Sequence, residues 1–298
     1  ASMNESMNEL VPVDDTSSTT IAARSARLAR YNNIAMAAFL FGGTVGGVLF
    51  GMLSDRIGRV RTMGYTILMY SLFTCVTALA QNWWQMAALR FLVAMGVGGE
   101  WAVASSLVAE VFPPRARAWS GAIFHASSVL GTYLAIATGA FVVSNPEFGW
   151  RAGFLIGVIP ALLVAWVRLS LHEPETWTSA RREQGDRLGR LSELFSGELR
   201  TRTLVGIGLA AAGLATFWGV HIYGRELVLR DRQQELFATL PTSATETDRQ
   251  ALLDDASNAE QLKHWEMLGM FLVTTGGGLG LVSFGPVCAW RGRRGAVA

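Results

Sequence analysis

Seven stretches of the chain are predominantly apolar over about 20 residues, the length that carries an α-helix across the hydrocarbon core of a bilayer. They fall at 34–54, 62–80, 86–109, 119–143, 151–171, 203–223 and 266–289. The breaks at 55–61, 81–85, 110–118 and 144–150 are short enough to force antiparallel neighbours, so the first five spans predict an up-down bundle. Segment 172–202 is polar and predicts a partly helical connector. Segment 224–265 predicts a long loop with a short helix capped by Thr247 and Gln250. Residues 1–33 begin polar, rich in Ser, Thr, Asn and Asp, and read as the remnant of a loop. The division expected is a bundle at 34–171, a connector at 172–202, and a second bundle beginning at 203–298. The fold class is all-α, a polytopic membrane protein.

Composition supports lipid as the solvent. Of the 298 residues 51% are hydrophobic and 16% charged, against about 25% charged in soluble domains. The net charge is +2, too weak and too scattered for a nucleic-acid surface. Cys75 and Cys288 lie in apolar stretches, and their spacing suggests neither a disulfide framework nor a metal site. No cofactor motif stands out. Gly43, Gly47 and Gly51 recur every four residues, a spacing that lets two helices approach closely in lipid.

Arginine sets the orientation. Arg56, Arg59 and Arg61, then Arg115 and Arg117, then seven arginines in 168–202, then Arg291, Arg293 and Arg294 all fall on one side if the spans alternate. The opposite breaks, 81–85 and 144–149, hold neither Lys nor Arg. Loops 55–61, 110–118 and 172–202 are therefore read as cytoplasmic, in a multi-pass protein of the plasma (inner) membrane. Residues 1–33 and 224–265 then lie outside and still carry seven arginines; long translocated segments obey the rule less strictly.

The chain also repeats itself. FGMLSDRIGRVR at 50–61 aligns with FGPVCAWRGRRG at 284–295, with Phe50/Phe284, Gly51/Gly285, Gly58/Gly292 and Arg59/Arg293 in register. Repeated halves are a common construction in transporters. By this repeat, a helix is expected upstream of residue 1, and another just after 290.

The run Gly51-Met-Leu-Ser-Asp55-Arg56-Ile-Gly58-Arg59-Val-Arg61 resembles the signature loop between the second and third helices of the major facilitator superfamily. Val60 stands where that family usually has a basic residue. Arg90-Phe-Leu-Val-Ala-Met-Gly96-Val-Gly98-Gly99-Glu100-Trp101 resembles the fourth helix of its sugar-type and metabolite–proton symporter branches. Glu110-Val-Phe-Pro113-Pro114-Arg-Ala-Arg117 is similar to the loop that follows, and Glu173-Pro174-Glu175-Thr-Trp177 to the Pro-Glu-Ser motif after the sixth helix. Gly149-Trp150-Arg151 opens that sixth helix in the same style. The second signature copy is degraded, with Ala289 where the first has Asp55. The resemblance implies a fold of two six-helix bundles around a central cavity, here truncated to about seven helices, the second to eighth of twelve. It also implies solute movement by alternating access, no enzymatic activity, and a monomer.

Ionisable groups within spans are costly and mark candidate sites. Glu100 lies about 15 Å deeper than Arg90 at helical rise, close to the midplane, where a carboxylate is suited to carrying a proton. Arg90 suits an anionic solute, an outer gate or a structural partner. His125, and more weakly His221 at the outer end of its span, complete the charged candidates. Trp101, Tyr133 and Trp218 could line a solute cavity, whereas Trp83 and Trp84 read as belt residues at the interface. Gly51, Asp55, Arg56, Gly58, Arg59, Arg61, Glu110 and Arg117 form the expected gating motif, as the family suggests. The expected partners are a small-molecule solute, protons and the lipid bilayer.

Three readings remain open at this point: a proton-coupled symporter for an organic acid or sugar-like solute, an uncoupled facilitator or antiporter of the same fold, and a truncated, non-transporting product. The absence of proline from 119–143 argues against the drug antiporters, whose fifth helix usually carries a Gly-Pro pair. No HExxH, nucleophile elbow or His-Asp cluster suggests a membrane enzyme.

Overall fold

A computed structural model describes Met7, residues 9–11, 21–113, 116–143, 149–184, 189–197, 199–241 and 244–297. Of the expected loop 144–150, residues 144–148 lie outside the described residues, as do Arg115 and Arg187. The chain divides into two compact units, residues 1–124 with 130–191 and residues 125–129 with 192–298.

The first unit opens on a helical turn closed by the Val11 N–H on the Met7 carbonyl, 3.0 Å. Helix α1 (Ile21–Ile57) follows, then α2 (Arg59–Thr77), α3 (Trp83–Val111) and α4 (Arg117–Thr138), which ends in a π-helical turn, Gly139–Val143. Next come α5 (Gly149–Ile156), α6 (Leu162–Ser170) and α7 (Glu175–Gln184). Helix α1 starts at Ile21, so part of the expected loop at 1–33 is helix.

Among the described residues, five helices are long and apolar enough to cross a membrane: Ala26–Ile57, Trp83–Val111, Trp119–Val143, Leu199–Val220 and Met267–Cys288. The other two expected spans are built differently. Helix α2 is rich in hydroxyls, and these bond back onto its own backbone: Thr62 to the Gly58 carbonyl at 2.8 Å, Thr66 to Met63 at 2.8 Å, Thr77 to Phe73 at 2.7 Å. Span 151–171 is interrupted by turns at 157–161, because Pro160 has no N–H to continue the helical ladder.

Helices α1, α2 and α3 are the tightest part of this unit, and glycine makes that possible. A Cβ on Gly42 or Gly46 would run into the α3 backbone at Phe91 and Met95, and one on Gly98 into Gly43. The close approach therefore uses Gly42 and Gly46, one residue before the Gly43/Gly47/Gly51 stripe expected from the sequence. A Cβ on Gly43 would find only ordinary contact at 3.8 Å, and one on Gly51 open space. Two apolar clusters bracket the unit. One joins Met7, Leu10, Ala35, Met86 and Trp150, with Phe154 packed on it. The other joins Val60, Met63, Ile67, Val103, Leu107 and Val167.

In the second unit α8 (Leu191–Leu194) is a single turn, and α9 (Leu199–Phe237), α10 (Glu246–Asp254) and α11 (Ala256–Val297) make the body. The expected loop 224–265 is mostly helix. Helix α9 continues to Phe237 because its polar stretch is still made of strong helix formers, with pairs such as Arg232 to Glu235 at 2.5 Å. The short helix α10 is present, but its capping box is Thr245 with Asp248, not Thr247 with Gln250. Thr245 adopts the extended backbone that an N-cap needs, while Thr247 already lies inside the helix. Helix α9 packs on α11 where Gly224 faces Val273 and Gly269 faces Val228.

Candidate functional site

Gly58 has φ +114°, a backbone that breaks the helix between α1 and α2 and that other residues rarely adopt. A side chain there would collide with the Glu173 carboxylate. Freed by this break, the first N–H groups of α2 have no intrahelical partner. Glu173 takes them: Oε2 accepts from Arg59 N at 2.6 Å, and Oε1 from Val60 N and Arg61 N at 3.1 and 3.2 Å. An anion at a helix N-terminus also meets its positive dipole end. Trp177 adds a second tie, its Nε1 donating to the Asp55 carbonyl at 2.8 Å.

Arg59 is the hub of the same turn and is only 9% exposed. Its Nε and Nη2 both reach Glu110 Oε1, at 3.2 and 2.7 Å. Its Nη1 reaches Ser54 Oγ at 2.9 Å and also pairs with Asp55, one helical turn before it. Burial works against the charge, but the hydrogen bonds from Arg59 to Glu110 and Asp55 outweigh it and hold the guanidinium pKa above its ordinary value. Of the expected gating residues, Gly58, Asp55, Arg59 and Glu110 therefore meet. Arg56 and the Arg61 side chain are exposed. Arg117 does not reach this turn: its Nε donates to the Phe112 carbonyl at 3.1 Å. The chain reverses between α3 and α4, which leaves the guanidinium nearest the carbonyl end of α3.

Glu100 lies on α3 facing α2, where Thr66 Oγ1 donates to its Oε2 at 2.5 Å. Among the described residues no cation stands within ion-pair distance of it. Gly96 and Gly99 flank it, one against Tyr70 and the other against Phe50. Arg90, ten residues earlier on α3, lays its guanidinium over the Phe154 ring, 4.4 Å from the centroid. Trp101 is 46% exposed. Tyr133 on α4 is half-buried, while His125 lies among the residues grouped with the second unit. Trp218 on α9 makes an edge contact with Phe217 at 6.0 Å. His221 also falls on α9, its side chain outside the described part.

At the other end of the first unit, Glu9 accepts from Trp150 Nε1 and Arg151 Nη1, both at 2.5 Å. These bonds, the one from Trp150 first, hold its carboxyl below the usual glutamate range. Sequence reasoning had not foreseen this contact, nor Glu173 as a cap, Ser54 as a partner of Arg59, or Thr66 as a partner of Glu100. The residues of each contact lie far apart in the chain except Ser54 with Arg59, and a hydroxyl within a span gives no signal of its own.

A family profile described as Major Facilitator Superfamily matches residues 17–296. The chain belongs to the major facilitator superfamily. As a member it is a multi-pass membrane protein, and the solved structures agree on the fold. A structure of the xylose transporter XylE from E. coli, in a partially occluded inward-open conformation, superposes with a TM-score of 0.54 at 21% identity, covering 92% of this chain and 63% of that one. The sialic acid transporter NanX of Escherichia coli is 34% identical over 137 residues, 45% of this chain and 32% of that protein. The cis,cis-muconate transport protein of Acinetobacter baylyi is 32% identical over 149 residues, 48% of this chain and 34% of that protein. The chain thus spans about a third of the length of the two carriers it matches in sequence.

Proposed function

We propose that this chain is part of a secondary transporter of the inner membrane that moves a small organic solute by alternating access, with proton coupling through Glu100. Kinship to carriers named for sialic acid and cis,cis-muconate supports an organic acid as the solute; the fold shared with a xylose transporter keeps a sugar-like solute in view. The observation that carries the coupling is the setting of Glu100. It is a carboxylate within a membrane helix whose described partner is a hydroxyl and not a cation. Such a group can lose or gain a proton without breaking an ion pair, and it faces the one helix, α2, whose N-terminus the Arg59 turn holds. Release of that turn would free the ends of α1 and α2 to move, which gives the loop its gating role. Arg-rich loops at 55–61, 110–118 and 172–202 put this turn on the cytoplasmic side.

The Thr66 contact also favours a second reading. Glu100 could serve only to pin α2 to α3, and the protein would then be an uncoupled facilitator. The experiment is uptake by the full gene product in vesicles, with radiolabelled sugars and carboxylates, with and without an imposed proton gradient. Accumulation that follows the gradient is the expected result. Equilibration that ignores it rejects the coupling and leaves the facilitator.

A further inference from the structure

Thr66 carries one hydroxyl proton and stands against two acceptors. It lies in α2 and is fully buried, so no water competes for it. Its Oγ1 is 2.8 Å from the Met63 carbonyl, three residues back on its own helix, and 2.5 Å from Glu100 Oε2 on α3. A hydroxyl has one O–H to give and two lone pairs to receive with. It therefore donates to these two oxygens one at a time. The packing around the pair is apolar. Met63, Ile67 and Val103 belong to one buried cluster, and Phe50 of α1 closes on Gly99 beside Glu100. The other titratable side chain that α2 places here is Tyr70, on Gly96. Asp55, Arg59 and Glu110 are engaged with one another in the Arg59 turn. Glu110 and Arg90 lie ten residues from Glu100 in opposite directions along α3, about 15 Å by helical rise.

Charge decides which oxygen receives the proton. A carboxylate only accepts, and it draws a hydrogen bond more strongly than a neutral carbonyl does. With Glu100 ionised, Thr66 donates to Oε2 and leaves the Met63 carbonyl. With Glu100 protonated, the incoming proton stays on the carboxyl, which donates to Thr66 Oγ1, and the threonine's own proton turns to Met63. No proton passes between the two side chains; two O–H groups rotate. A threonine bonded back to a carbonyl of its own helix bends that helix slightly. Met63 lies one turn beyond Arg59, where Glu173 caps α2, and Thr62 makes the same kind of bond to the Gly58 carbonyl at the break itself.

We propose that Thr66 is a positioning residue for Glu100, and that the swing of its hydroxyl between Glu100 and Met63 carries the protonation state of Glu100 into the backbone of α2. The proposal rests on the coupling reading above and gives it a route. Helix α2 is bent differently at Met63 when Glu100 is charged and when it is neutral, and that bend lies one turn from the Arg59 closure. The hydroxyl also sets the condition of release. It holds the carboxylate only while the carboxylate is charged, and so favours departure of the proton.

The test combines infrared pH-difference spectra with uptake, both on the full gene product in vesicles. Subtracting the spectrum of Glu100→Gln isolates the protonated carboxyl band of Glu100, and each Thr66 variant is read against its own Glu100→Gln double. Thr66→Val removes the hydroxyl at nearly the same volume; Thr66→Ser keeps it. In Thr66→Val the band is expected at about tenfold lower proton concentration, because the charged form has lost its donor. In Thr66→Ser it should stay within about twofold of wild type. Wild type with a heavy-isotope label on its methionine carbonyls needs no change at Thr66. One carbonyl band should move at the same pH as the carboxyl and be missing from Met63→Leu. Gradient-driven accumulation by Thr66→Val should fall at neutral lumenal pH and return when that pH is raised by about one unit; a packing role alone would lower it at every pH. A carboxyl band unmoved in Thr66→Val, a Thr66→Ser protein that behaves like Thr66→Val, or methionine carbonyls silent through the titration overturns the inference. Wild-type uptake that ignores the gradient, with the infrared results as expected, rejects the coupling and leaves the hydroxyl swing standing.

Discussion

The two ends of the first unit are fastened by different chemistry. At one end Arg59 is buried, shared between Glu110, Asp55 and Ser54, and sits on a helix N-terminus that Glu173 caps. At the other, Glu9 holds Trp150 and Arg151 in the open, with the side chains of the Glu9–Arg151 pair 50% and 43% exposed. Buried charges that have found partners are expensive to separate, whereas exposed pairs are worth little. The Arg59 end is therefore a firm closure and the Glu9 end a light one. A protein that opens alternately to two sides would show this asymmetry when caught with one side locked.

The largest break in that contrast comes from Arg59→Ala. It leaves Glu110, half-buried, with both carboxylate oxygens unpaired, since Oε2 is cut off from solvent and already lacks a partner. A loss of about 3 kcal/mol is expected, measured by denaturant unfolding in detergent. Gly58→Ala should come next, at about 1–3 kcal/mol, because alanine must hold φ +114° and also displace the Glu173 carboxylate. Glu9→Gln should be smallest, under about 1 kcal/mol in the same assay.

The Glu9 end should also respond to salt where the Arg59 end does not, and its own response to acid has a definite sign. Its carboxyl is held below the ordinary 4.5, so its contribution is complete above that value and is lost as pH falls through the lower, folded one. A fluorescence titration of wild type minus Glu9→Gln should show Trp150 changing only below about pH 4.5. Salt at about 1 M, where the screening length is about 3 Å, should weaken Glu9 with Arg151 and spare the buried Arg59 cluster. An equal salt effect at both ends would remove the contrast.

Much of this was legible in the sequence, and the reasons for the remainder are physical. Apolar length fixed the helices at 86–109 and 266–289, since bilayer thickness dictates it. Gly58 and Gly292 matched as repeat partners, and both have positive φ, +114° and +76°, so the repeat of sequence is a repeat of backbone break. The polar reach of α9 past Tyr223 was read as loop because hydropathy marks the edge of lipid and not the end of a helix. The glycine stripe was misplaced by one residue because several registers of glycine fit the spacing, and only the partner helix selects among them. Within the candidate site, Asp55, Gly58, Arg59 and Glu110 came through their motif. Thr66 had no motif, and Glu173, though inside one, gave no sign that it lies 114 residues from its partner.

The coupling role of Glu100 is the central claim, and Glu100→Gln tests it most directly because the amide keeps the shape and the Thr66 hydrogen bond while removing the proton site. Solute uptake should be compared in two modes on the same vesicles: accumulation driven by a proton gradient, and exchange of labelled for unlabelled solute with no gradient. Glu100→Gln is expected to exchange at a rate close to wild type and to fail at accumulation. A variant that accumulates solute as wild type does would contradict proton carriage by Glu100 and leave it as a packing contact between α2 and α3.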